Sequence, residues 1–171
     1  MSPRSKMIAA AIVALIALAG IVFLGARLAN DDDNRVSTFT LAPTMRAEAP
    51  FDEFDEAMVA VDDDCNRLLI ARTTEQRGQG LREVTSLEPY DGMLFVFPAD
   101  TDARFTMSNT PLPLDITFLD ANGVPVDTKT MQPCLDGSDA DCPVYASKGK
   151  YRYALERPAG AGGGAISSCS A

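Results

Sequence analysis

Short apolar runs separated by turn residues recur along most of this chain. Residues 57–61, 67–72, 93–97, 105–107, 112–119, 124–131 and 151–156 are rich in Val, Ile, Phe and Tyr. They are punctuated by Asp-Asp-Asp-Cys-Asn at 62–66, Tyr90-Asp91-Gly92, Asn109-Thr110-Pro111 and Asp120-Ala121-Asn122-Gly123. Strands at regular spacing with turn signals between them predict an all-β domain. One interruption is helical: Thr73-Thr74-Glu75-Gln76 matches a capping box, in which the Thr73 side chain bonds the Gln76 amide and the Gln76 side chain bonds back. Gly78 and Gly80 limit that helix to about two turns. The expectation is a mainly β fold, a compact antiparallel β-sandwich or partly closed barrel with one short helix, occupying residues 57–158.

The hairpin at 120–123 has two candidate registers. A two-residue Asn-Gly turn sets Phe118 opposite Asp127, and a three-residue Ala-Asn-Gly loop with Gly123 in a bulge sets Phe118 opposite Val126. Burying Phe is worth about 2 kcal/mol and burying an unpaired Asp costs more, which favours the second register.

The N-terminus follows a different pattern. Arg4 and Lys6 precede an uncharged apolar run over 7–26, long enough as a helix to cross a bilayer core of about 30 Å. A cleaved signal peptide is the competing reading, but its apolar region is usually shorter and the small residues Ala17 and Ala19 lie mid-run. The positive-inside rule puts residues 1–6 in the cytoplasm and everything beyond residue 30 outside. Residues 27–64 hold 11 acidic and 3 basic side chains, against 13 and 10 in 65–171. Most of the formal charge of −9 therefore belongs to a segment over 27–56 that reads as an extended acidic linker. This balance argues against nucleic acid or anionic lipid as a partner. The triplets Asp31–Asp33 and Asp62–Asp64 lack the alternating ligands and turn glycine of a calcium loop, and so read as solvated.

Outside the cytoplasm, four cysteines read as a disulfide framework. Cys134 and Cys142 enclose a polar loop short enough to bridge, and Cys65 and Cys169 remain for each other. The chain has no histidine and no CxxC pair, so neither a metal centre nor a cofactor is expected. Without imidazole, acid–base work would fall to carboxylates or lysine. Asp115 interrupts an apolar strand and Asn109 precedes a Thr-Pro turn, so these two, with Phe105, are the candidate ligand-binding residues. Each also has a local reading, as an acceptor of backbone amides and as a turn former. Adjacent Ser147 and Lys148 point to opposite faces of an extended chain, which argues against a Ser-Lys hydrolase. Asp136, Asp139 and Asp141 read as a solvated loop.

The ordered blocks ARTTEQRGQGL, YDGMLFVF, FTMSNTPLPLDITFLDANG, MQPC…CPVY and YRYALERPAG resemble the prokaryotic family known as domain of unknown function 192, over about residues 65–160. The resemblance implies a single compact β domain, often behind a signal or anchor, and assigns no activity. Thr106 stands where the family typically has Trp, and Ser108 where it has Lys. The Gly-rich ending over 159–171 replaces the usual closing helix-and-strand segment, leaving Cys169 to tie down the tail.

Together these features point to a non-enzymatic interaction or small-ligand-binding module held on the outer face of the cell membrane, whose partner is an envelope protein or a small ligand. An envelope hydrolase built on Asp115 and Asn109 is the alternative, and a structural accessory of an envelope complex is third.

Overall fold

The computed structural model describes residues 39–41, 44–135 and 140–169. The apolar run over 7–26, the Asp31–Asp33 triplet and Asp136 and Asp139 lie outside the described residues. Among the described residues no helix is long and apolar enough to cross a membrane.

The strands are β1 (Met45–Arg46), β2 (Asp55–Val61), β3 (Asp64–Ala71), β4 (Gly92–Thr101), β5 (Phe105–Thr106), β6 (Leu114–Leu119), β7 (Pro125–Met131), β8 (Val144–Tyr145), β9 (Tyr151–Pro158) and β10 (Ile166–Ser168), with helix α1 (Thr74–Gln79) between β3 and β4. One mixed sheet runs β1-β2-β3-β4-β9-β6-β7, with β10 also on β2, and β5 and β8 form a separate pair. The expected antiparallel sandwich or partly closed barrel is thus corrected in two respects. The sheet is open, and β3 pairs with β4 in parallel, Leu68 beside Gly92 through Ala71 beside Phe95. A parallel pair needs a long crossover, and residues 72–91, carrying α1, supply it. The capping box forms as the sequence predicts, with Thr73 as N-cap, and Gly80 closes the helix at a φ of 51°.

Both sheet faces are covered. One apolar layer gathers Met93, Phe95, Ile116, Phe118 and Tyr151. The other gathers Leu68, Ile70, Leu94, Leu155 and Ile166. The segment expected as an extended linker contributes to both: Phe51 and Phe54 are buried in the first layer and Phe39 in the second. The core therefore takes in residues before 57, because three phenylalanines within an acidic stretch carry enough apolar surface to dock. Asp62 and Asp63, read as solvated, are the two positive-φ residues of the tight β2–β3 turn. The Gly-rich ending returns to the domain: Asp62 Oδ1 accepts the Ala165 amide at 3.1 Å, β10 pairs with β2, and the Cys65–Cys169 disulfide closes the tail. Cys134 and Cys142 form the second disulfide, and no free cysteine remains among the described residues.

The 120–123 hairpin combines the two registers. The three-residue loop is present, with Gly123 at a φ of 79° and Leu119 opposite Pro125. A register shift then follows, so that Phe118 faces Asp127, not Val126 as expected. The assumption that failed was an unpaired Asp127. Its carboxylate meets Lys129 Nζ at 2.8 Å and Lys148 Nζ at 3.1 Å and accepts the Lys148 amide. These contacts also occupy Lys148, and Ser147 Oγ accepts the Gly149 amide, so the two serve local structure.

Two predictions test this arrangement. A Cβ on Gly123 would sit 2.4 Å from the Ile166 carbonyl oxygen, on top of the unfavourable positive φ. Gly123→Ala should therefore cost about 2 kcal/mol or more in denaturant unfolding, while Asn122→Ala should stay within about 0.5 kcal/mol; equal small effects would contradict the loop. Separately, the Cys65–Cys169 bridge spans 104 residues and Cys134–Cys142 spans 8. On loop-closure entropy, replacing the first pair by Ser should cost nearly 5 kcal/mol and the second about 2–3 kcal/mol, and the reverse order of unfolding midpoints would refute it.

Candidate functional site

Strand β9 lies between β4 and β6, so Glu156 has Met93 on one side and Ile116 on the other within the first apolar layer. Its side chain is buried, with the residue only 4 % exposed. It has no hydrogen-bond or ion-pair partner among the described residues. Instead it lines a pocket of about 320 Å³ between α1, the end of β4 and the β5 segment. Burial in this apolar setting pushes the Glu156 carboxyl up to about 8. At neutral pH it is mostly protonated and offers one donor and an acceptor oxygen.

The walls are aromatic. Phe95 and Phe105 meet edge to face at 5.0 Å between ring centres, Phe105 reaches Phe118 at 5.8 Å, and Phe97 packs on Tyr151 at 5.4 Å. Phe97 sits where the β4–β9 pairing shifts register between Val96 and Thr101, an irregularity of the kind that re-aims side chains near sites. The Tyr151 hydroxyl donates to the Ala103 carbonyl at 2.8 Å, fixing the loop that leads into β5.

Three guanidinium groups line the pocket as well. Arg77 on α1 donates to the Arg72 and Val96 carbonyls and lies 5.0 Å from the Phe97 ring centre. Arg82 donates to the Ser108 carbonyl at 3.0 Å and to the Gly78 carbonyl at 3.3 Å. Arg104, on the loop before β5, is exposed and has no hydrogen-bond or ion-pair partner among the described residues.

Of the sequence-predicted residues, Phe105 lines this pocket and Asn109 and Asp115 do not. Asp115 accepts the Thr130 hydroxyl at 2.7 Å and the Gly160 amide at 2.8 Å, so it anchors the turn after β9. Asn109 is an exposed turn residue at a φ of 56°, with its amide bonded to the Cys134 carbonyl and its carbonyl to the Glu83 amide. The structure does not bring Asp115 and Asn109 together at this pocket: the Asp115 carboxylate is taken up by Thr130 and Gly160, and the Asn109 backbone holds its turn. Thr106, in the position where the family resemblance puts Trp, is in the pocket wall, whereas Ser108 is buried outside it. Among the described residues there is no group of His, Cys, Asp and Glu suited to a metal ion.

A second buried carboxylate has the opposite character. Glu56 accepts the Tyr90 hydroxyl at 2.6 Å and a two-pronged contact from Arg67 at 2.8–3.1 Å. The Tyr90 hydrogen bond, followed by Arg67, holds its carboxyl below the usual range despite burial. Arg67 also reaches Glu48 at 2.8 Å, and its backbone amide donates to Asp91. This network ties β2 and β3 to the segment leading into β4, and it is satisfied internally.

The contrast predicts the pH dependence of stability. With Glu156 at about 8 folded and 4.5 in the unfolded chain, the folded state keeps a proton that the unfolded state has lost between those pH values. Stability from this group is full below pH 4.5 and falls as pH rises to 8, by roughly 5 kcal/mol in all. Glu56 and Asp127, the latter held down to about 2 by Lys129 and then Lys148, act with opposite sign, their contributions fading as pH falls below the ordinary carboxylate range. Glu156→Gln should flatten the unfolding profile between pH 5 and 8 and leave the acid limb unchanged. A wild-type profile already flat over that window would contradict the burial of this carboxyl.

No curated protein matches this chain. A Sinorhizobium meliloti protein, provisionally assigned as a transcription regulator, is similar at 28% identity over 57% of this chain and 71% of its own, with a TM-score of 0.50. A Novosphingobium aromaticivorans protein of unknown function shares the fold at 20% identity, over 81% of this chain and 100% of its own, with a TM-score of 0.60. The profile of the family described as an uncharacterized ACR, domain of unknown function 192, matches residues 57–163, from β2 through β9 and into the glycine-rich turn. The chain belongs to the family known as domain of unknown function 192.

Proposed function

We propose that this protein is a small-ligand-binding module, tethered to the cell membrane through residues 7–26 and held on the extracytoplasmic side. The observation that carries the binding reading is Glu156, a buried carboxyl with no protein partner among the described residues, at an aromatic-walled pocket. A carboxyl that opens on a pocket and has no protein partner is placed to hydrogen-bond whatever enters it. Pockets of 300–1,000 Å³ with apolar walls and a few convergent polar groups are the usual form of small-molecule sites. The tether rests on the length of the apolar run and on Arg4 and Lys6 before it. Two disulfides support an oxidising compartment. The net charge of −9 opposes direct contact with nucleic acid, so the description of the S. meliloti relative is not extended to this chain.

Native mass spectrometry of protein extracted from its own envelope should reveal a bound molecule of a few hundred daltons. That adduct should be absent from Ala103→Trp, which fills the pocket, and from Thr74→Trp, which obstructs its helix side, provided both melt near wild type. No adduct in any preparation, together with no thermal stabilisation by a small-molecule extract of the same cells, would sink the binding reading. The tether is tested by membrane retention in high salt and by cleavage with protease added to intact cells whose outer barrier has been opened; release by salt or full protection would refute it.

A further inference from the structure

The pocket's charge pattern goes further than binding as such. We infer that its ligand is a small organic anion with a flat apolar body, the body lying among Phe95, Phe97 and Phe105, the anionic group at Arg104, and a polar group at Glu156. This inference rests on the small-ligand reading above and specifies the ligand's chemistry.

The charged groups at the pocket differ in what each still has to give. Arg77 and Arg82 spend donors on backbone carbonyls, at Val96 and Arg72 for one and Ser108 and Gly78 for the other. They hold α1 and the turn after it against the sheet while keeping their positive charge at the pocket. Arg104 spends none of its five donors on the described residues, so a carboxylate or phosphate at the rim would gain two parallel hydrogen bonds without displacing any. Among the described residues no anionic side chain lines the pocket other than Glu156, whose burial favours the protonated form. The described side chains lining the pocket therefore carry more positive than negative charge, which favours anions over amines.

The inner walls set the rest of the shape. Edge-to-face pairing of Phe95 with Phe105, and the Phe97 ring held beneath Arg77, present apolar surface suited to a planar ring. A protonated carboxyl can donate to a carbonyl or accept from a hydroxyl, so it selects a polar substituent while tolerating its low-dielectric setting. A volume of about 320 Å³ has room for a bicyclic ring with one short acidic arm.

The test uses one ring with three heads: indole-3-acetate, indole-3-acetamide and tryptamine, titrated by calorimetry against the purified chain. The anion is expected to bind at least tenfold more tightly than the neutral amide, with no detectable binding of the amine. Arg104→Gln, a substitution at an exposed position, should reduce the anion's affinity to that of the amide and leave the amide's unchanged. Ala103→Trp should abolish both. Tightest binding by the amine would overturn the inference, making Glu156 a counter-ion, while sparing the small-ligand reading. An anion preference insensitive to Arg104→Gln would also overturn it. If none of the three binds but the envelope-extracted protein still carries its adduct, the inference alone fails; if the adduct is missing as well, both readings fail.

Discussion

The structure depends on one constraint: its central strands are covered on both faces. β9 has β4 and β6 as neighbours and an apolar layer above and below, so its side chains on either face face burial. Ala154, Leu155 and Tyr151 meet that demand with apolar surface. Glu156 cannot, and the sheet accommodates it by opening the layer into a pocket at that point instead of supplying a partner. Tight neighbours leave little alternative. A Cβ on Gly92 would come within 2.3 Å of the Glu156 carbonyl oxygen, so β4 enters the sheet beside Glu156 only because residue 92 has no side chain.

The parallel β3–β4 pair puts the pocket where it is. A crossover long enough to bring β4 back alongside β3 must run over one face of the sheet. The capping box starts α1 on that face and Gly80 stops it after six residues. This places Arg77 and Arg82 close enough to the sheet to bond the carbonyls of β4 and of the β5 segment. The Glu56–Arg67–Tyr90 network then fixes the far end of the crossover. The two buried carboxylates thus divide the work: Glu56 is ionised and spent on structure, whereas Glu156 is kept neutral by desolvation and remains available.

Much of the fold is legible in the chain because it depends on local chemistry. Thr73 and Gln76 sit at the spacing a capping box needs, Asp120 to Gly123 carries its turn, and Cys134 and Cys142 pair across their short loop. The family was legible for a similar reason, since ordered blocks of turn and strand residues record those local choices. Candidate site residues fared unevenly. Phe105 lines the pocket, but Asp115 and Asn109 are polar residues near apolar strands, a feature shared by residues that bind ligands and residues that hold turns.

The sequence by itself determined where the main strands and their turns fall, that Cys134 and Cys142 close a short loop, and that the domain is mainly β, because hydrogen-bonding side chains, glycines and short-range apolar patterns act within a few residues. Tertiary structure alone decided that β3 and β4 run parallel, that Phe39, Phe51 and Phe54 join the core, and that Asp127 is buried between two lysines. It also decided which carboxylate matters. In a strand where Tyr151, Tyr153 and Leu155 alternate with Arg152, Ala154 and Glu156, the simplest pattern turns Glu156 toward water. Whether that face meets water depends on which strands lie on either side and what packs above, and those contacts come from β4, β6 and the α1 crossover, none of which is adjacent in the chain.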